Sequence, residues 1–222
     1  MTRIGFHVLA GACMSLRAVA GLAETGFYVG ADIGLVEPDV EASDGFQVYA
    51  TGVPISVLPE KTRVHGSTTG WSAVAGYRVN RHLAAEAGYV DLGTVDIEET
   101  YDLSEFSPPL PPAAVLPSAS EVRGPTLSLL GIVPFAQDRF EAFARAGVFF
   151  ADQTLKGDLG VASGVEMDNS EDLWLLGAGL VLRTTGRWSI RLEYQAIDEL
   201  RSNAMTGAIR MQRISLGATR LF

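Results

Sequence analysis

The sequence contains one cysteine and three histidines among 222 residues, and apolar residues nowhere run unbroken for the length a membrane helix needs. About 20 consecutive apolar residues are required to cross a bilayer as a helix, so a helical membrane protein is excluded. The single cysteine, Cys13, falls within an N-terminal segment that has the marks of a cleaved signal. The mature chain is then without thiols, which excludes a disulfide framework and a thiolate metal site. Basic residues are also scarce, 17 Lys and Arg against 26 Asp and Glu. That imbalance argues against nucleic acid as a partner and against adhesion through a basic face. There is no phosphate-binding glycine loop, zinc-ligand spacing or dinucleotide fingerprint, and no cofactor or metal is expected.

What the chain does have is glycine and aromatic residues, 24 Gly, 10 Phe and 6 Tyr, which suit one strand-rich domain. Met1-Thr2-Arg3 is followed by an apolar run from Ile4 to Leu16 and by small residues ending in Gly21-Leu22-Ala23. A basic start, a short apolar stretch and an Ala-x-Ala-like site read as a secretory signal over 1–23, leaving the mature domain at 24–222. Ala18-Val19-Ala20 offers a second cleavage site. Loss of Arg3 and Arg17 leaves 15 basic against 26 acidic residues, a net charge of −11.

Beyond the signal, apolar residues alternate with others. Trp188, Ile190, Leu192, Tyr194 and Ala196 share one face of a strand, and Ser189, Arg191, Glu193 and Gln195 share the other. Similar stretches recur at 26–36, 67–79, 83–93, 122–134, 140–150, 172–184, 188–198 and 209–222. Each is about ten residues long, the length a tilted strand needs to span a membrane. The connections alternate too: 79–82, 135–139 and 185–187 are tight, whereas 37–66, 94–121, 151–171 and 199–208 are long. Short turns at one rim and long loops at the other predict an all-β fold, an eight-stranded antiparallel transmembrane up-and-down β-barrel with the short turns in the periplasm. Segment 94–121, with acids at 96, 98, 99, 102, 105 and 121 and prolines at 108, 109, 111, 112 and 117, is expected to be surface loop. Phe46–Ala50 either extends the first hairpin outside the membrane or, in a ten-stranded barrel, joins the wall.

Gly76-Tyr77-Arg78-Val79-Asn80, followed by Glu86-Ala87-Gly88-Tyr89-Val90-Asp91-Leu92-Gly93, resembles the transmembrane domain of the outer-membrane protein A family. Gly26-Phe27-Tyr28-Val29-Gly30 and the terminal Phe222 add to the likeness. The resemblance implies an eight-stranded barrel in the outer membrane of a Gram-negative bacterium, with an acid at the position of Glu86 inside the lumen. Long members carry a peptidoglycan-binding domain after the barrel; none follows Phe222 here, so tethering to the cell wall is not expected.

Alternation places Glu86, Glu141, Arg145, Arg191 and Glu193 toward the interior, with Arg78, Arg183 and Arg213 as further members. Arg or Lys on the lipid face near the midplane costs about 2–4 kcal/mol, which is why these charges are read as inward. They form either a packed, hydrogen-bonded core or a gate in which Glu86 exchanges arginine partners across a narrow path. Tyr28, Trp71, Tyr89, Phe150, Trp174, Trp188, Tyr194 and Phe222 are expected to form the interfacial aromatic girdles. His65-Gly66-Ser67 has the spacing used by lipid A deacylases, a weak signal. Acids at 39, 41 and 44, or at 152, 158, 166 and 168, are more simply solvated loop charge than a cation site. The functional expectation is a non-enzymatic outer-membrane barrel with a structural and surface-interaction role, with a narrow gated channel as the alternative and a lipid A hydrolase as the third. Its expected partners are outer-membrane lipid, lipopolysaccharide and, through the strand ending at Phe222, the barrel assembly machinery.

Overall fold

The computed structural model of the chain describes residues 25–40, 46–50, 53–57, 59–64, 67–102, 113–157, 165–184, 187–200 and 209–222. The strands are β1 (Gly26–Val40), β2 (Phe46–Ala50), β3 (Val53–Val57), β4 (Pro59–Val64), β5 (Thr68–Asn80), β6 (Leu83–Asp102), β7 (Ala113–Phe135), β8 (Phe140–Gly157), β9 (Val165–Arg183), β10 (Trp188–Leu200) and β11 (Ile209–Leu221). β1 and β5 through β11 pair antiparallel in chain order, and β11 pairs back onto β1, with Ala31 opposite Ala218, so the wall closes at eight strands. β2 and β3 form a separate two-stranded sheet and add nothing to the wall. β4 continues the place of β5 beside β6, with Arg63 opposite Glu98.

The wall is inverted relative to a water-soluble barrel. Ile33, Leu129 and Ile214 are 60 %, 60 % and 57 % exposed, while their neighbours Ser128 and Arg213 are buried. Large aliphatic side chains stand in an outward row because that row meets hydrocarbon. Aromatic pairs border it. Phe27 packs on Tyr77 at 4.9 Å and Phe135 on Phe140 at 5.7 Å near the periplasmic rim, and Trp71 lies 6.1 Å from Tyr89 at the other end.

The strand termini at the tight-turn rim match the expected ones within about two residues, and so do the far ends of β5 and β11, but the far ends of β1 and β6 through β10 run further. Segment 94–121 is not loop throughout: β6 continues to Asp102 and β7 begins at Ala113, paired from Thr94 opposite Glu121 to Asp102 opposite Ala113. Pro117 stands within this ladder opposite Glu98. Likewise β8 reaches Gly157 and β9 starts at Val165. Pro125 is not near a strand end; it is accommodated inside β7 where pairing to β8 is interrupted between Arg123–Asp152 and Thr126–Phe149, a place where a missing N–H breaks no bond.

A second irregularity interrupts β6 against β7 between Asp91 and Thr94. Gly93 has φ +77° there, and its N–H donates to Asp91 Oδ1 at 2.8 Å. A Cβ at this position would lie 2.6 Å from Thr68 Oγ1 and 2.7 Å from Thr69 O. Gly93→Val is therefore expected to destabilise the barrel by at least about 1–3 kcal/mol through backbone strain alone. A lowered transition in urea titration of the vesicle-folded protein would report it; an unchanged midpoint would contradict the left-handed geometry.

Candidate functional site

The inward residues of the wall build the lumen, and its two halves differ. Toward the outside it is closed by buried apolar side chains, among them Val36, Leu92, Phe149, Leu175, Ile209 and Met211. Toward the periplasm it holds charges. Eight strands leave an interior just wide enough for side chains, so these charges must find partners within it.

They do so in three groups. Nearest the periplasmic rim, Arg78 donates from Nη1 and Nη2 to Glu141 at 3.1 and 2.9 Å, and Arg183 Nε reaches the same carboxylate at 3.3 Å. Further in, Glu86 takes Arg145 on Oε2 and Arg191 on Oε1, the latter at 2.7 Å. Tyr28 donates its hydroxyl to the same Oε1 at 2.7 Å. Glu193 closes this group into a ring, lying 3.1 Å from Arg145 Nε and 2.8 Å from Arg191 Nη2, although these two contacts lack hydrogen-bond alignment. Two acids and two bases thus compensate one another with all four side chains nearly out of solvent. The third group joins Asp32 to Arg213, with Ser72 donating to Asp32 and Gln195 accepting from Arg213 at 3.4 Å.

Buried ion pairs of this kind offset a desolvation cost of several kcal/mol per charge, and they hold only with their partners in place. Local sequence supplies the room. Gly76 lies opposite Tyr28, and a Cβ there would sit 2.3 Å from the Tyr28 ring, so the phenol can cross β5 to Glu86 only over a glycine. Arg191 also stacks over Phe143 at 4.2 Å, which satisfies one guanidinium face without a hydrogen bond.

The structure brings Glu86, Arg145, Arg191 and Glu193 together and places Glu141 in a separate group with Arg78 and Arg183. Trp71, Tyr89, Phe150, Trp174, Trp188, Tyr194 and Phe222 all face outward. Tyr28 does not belong with them. It shares the inward parity of Gly30 and Asp32 and serves as a donor to Glu86, since a phenol directed inward at this depth must find an acceptor. The outward row gains Phe27, Tyr77, Phe135 and Phe140, which the sequence reading missed. It also missed Asp32, whose place between outward Ala31 and Ile33 is the signal that would have found it.

Ser67 is exposed immediately before β5, and His65 lies outside the described residues, as do Glu41, Asp44 and Asp158. Among the described residues no three His, Cys, Asp or Glu side chains group in a way that would hold a metal ion. Asp152 accepts from Ser170 at 2.7 Å and Asp168 from Thr154 at 3.1 Å, both across the β8–β9 ladder. Residues 1–23, expected to be a secretory signal, lie outside the described residues.

Comparison with known proteins agrees with this geometry. A search of curated sequences gives no match. Among solved structures, the chain is similar to Neisserial surface protein A, with TM-score 0.54 and 17% identity over 89% of this chain and 97% of that one. It is similar also to the outer membrane protein OprG from Pseudomonas aeruginosa, with TM-score 0.54 and 13% identity over 91% and 98% of the two chains. At such identities the likeness concerns the fold. The OmpA-like transmembrane domain profile matches residues 22–222, which takes in all eight wall strands. With that match, a closed eight-stranded wall and an apolar outer face, the chain belongs to the OmpA-like transmembrane domain family of outer-membrane β-barrels.

Proposed function

We propose that this protein is a non-enzymatic outer-membrane barrel whose role is structural and surface-interacting, carried by its acidic external side, with the lumen acting as an internal brace. The observation that supports this most directly is the obstruction of the lumen: the Glu86–Arg145–Glu193–Arg191 ring crosses it, and the Val36, Leu92 and Phe149 layer closes it above. Lipid and lipopolysaccharide contact the aromatic rows, and the exposed Phe222 at the end of β11 offers the assembly machinery its handle.

One observation favours the channel reading as the runner-up. Glu86 is shared between two arginines, so a partner exchange has a ready geometry. Planar-bilayer recording of the refolded mature chain separates the two. The brace predicts silence from verified folded barrels. Discrete current steps that Glu86→Ala alters would establish a gated pore instead. For the hydrolase reading, lipid A from cells lacking the protein is expected to be unchanged.

A further inference from the structure

One cation breaks the outward row of the wall. Arg220 of β11 lies between Ala218 and Phe222 in that row, and among the described wall residues it is the one charge facing outward in the periplasmic half. Its cross-strand neighbours are Val29 and Trp188, both exposed. An outward arginine is tolerated near the interface, where the penalty it meets at the midplane falls away. The guanidinium carbon lies 5.6 Å from the centre of the Trp188 ring and 5.3 Å from that of Phe222. Such contacts engage the face of the guanidinium and leave its N–H donors unused. Among the described residues Arg220 has no hydrogen-bond acceptor and no carboxylate partner. Arg187, exposed just before β10, adds a second cation beside it: its carbonyl accepts from Leu221 N–H at 2.9 Å, which ties it to the end of β11. The terminal carboxylate of Phe222, at the same rim, forms no ion pair with either arginine.

Guanidinium donors held among rings at headgroup depth favour an acceptor that is anionic and belongs to the lipid. A phosphodiester is such an acceptor, and arginine can meet two of its oxygens at once. We propose that Arg220 and Arg187 form a site for the headgroup of an anionic phospholipid in the periplasmic leaflet. The phosphate meets the N–H donors of Arg220, and Trp188 and Phe222 border the upper acyl chains. Arg187 supplies the further positive charge that favours a net-anionic headgroup over a zwitterionic one. The site rests on the lipid contact of the aromatic rows and gives it a headgroup preference at one place on the rim.

The test uses the folded mature barrel carrying Trp71→Phe and Trp174→Phe, which leaves Trp188 as the sole tryptophan and reporter of this rim. Brominated phosphatidylglycerol or brominated phosphatidylcholine is added in increasing fraction to vesicles of unbrominated phosphatidylcholine, and quenching of Trp188 is followed. Quenching by either lipid establishes the lipid contact, and the ratio between the two tests the site. Phosphatidylglycerol is expected to reach half-maximal quenching at a mole fraction at least about fivefold lower. With 15 basic against 26 acidic residues the mature chain has no general attraction for anionic lipid, so this preference reports the local site. Arg220→Gln is expected to bring the two lipids within about twofold of each other, and Arg220→Lys to fall between, since an ammonium keeps the charge but not the planar fork. The heat-dependent gel shift verifies folding of each variant. Equal quenching by the two lipids before Arg220 is changed, or a phosphatidylglycerol preference that survives Arg220→Gln, would overturn the proposal. Absence of quenching by both would remove the lipid contact along with it.

Discussion

Glu86→Ala is expected to destabilise the folded barrel by about 3–5 kcal/mol, the cost of leaving buried charges without their partner. The carboxylate is 4 % exposed and receives Arg145, Arg191 and Tyr28 at once. Its removal leaves two buried guanidinium groups facing the single remaining acid, Glu193. Glu86→Gln keeps an acceptor for Tyr28 and is expected to lose less. Urea titration of the barrel folded in vesicles, followed by tryptophan fluorescence, measures both. A loss below about 1 kcal/mol for alanine would place these charges in water rather than in a packed interior.

Leu192→Arg is expected to cost about 2–4 kcal/mol, the penalty for arginine at the bilayer midplane. Leu192 is 48 % exposed and sits in the ladder between Leu180 and Leu216, both also outward. The adjacent Arg191 carries the same charge at the same depth without that penalty because it faces inward to Glu86 and Glu193. Thr94→Arg is the control. Thr94 is exposed on β6 just past the irregularity at Gly93, and the substitution there is expected to stay within about 0.5 kcal/mol. Equal costs at the two positions would mean that the hydrocarbon boundary does not lie between them.

The membrane-crossing part of the wall was readable from the sequence because lipid imposes one rule there. Every second residue must be apolar, and a charge such as Arg191 between Ile190 and Leu192 has only one side to face. Outside the bilayer the rule ends. Past Leu92 the outward residues of β6 are Thr94 and Asp96, while Leu92 and Val95 turn inward, so the pattern changes sense across the Gly93 irregularity and reads as loop. The prolines strengthened that impression, yet Pro117 is tolerated in a ladder that is no longer bounded by hydrocarbon. The same reversal hid the apolar outer half of the lumen. Tyr28 was misplaced because aromatic identity outweighed parity; an aromatic near a strand end suits a girdle, but its alternation with Phe27 and Val29 puts it inside. The five lumen charges needed only parity, whereas their division into separate groups depended on how far each strand is offset around the wall, which no single strand reveals.

That offset gives the ion-pair ring a significance beyond its energy. A strand that slips by two residues still presents its apolar row to lipid, so hydrophobic matching is blind to a wrong shear. The ring is not blind to it. Its members come from β1, β6, β8 and β10, every other strand around the wall, each separated from the next by one intervening strand. A two-residue slip in any of them carries a charged or donor group about 7 Å along its strand, too far to meet its partner. Tyr28, Glu86, Arg145, Arg191 and Glu193 therefore measure strand offset across the lumen, and a misassembled wall is marked by stranded charge.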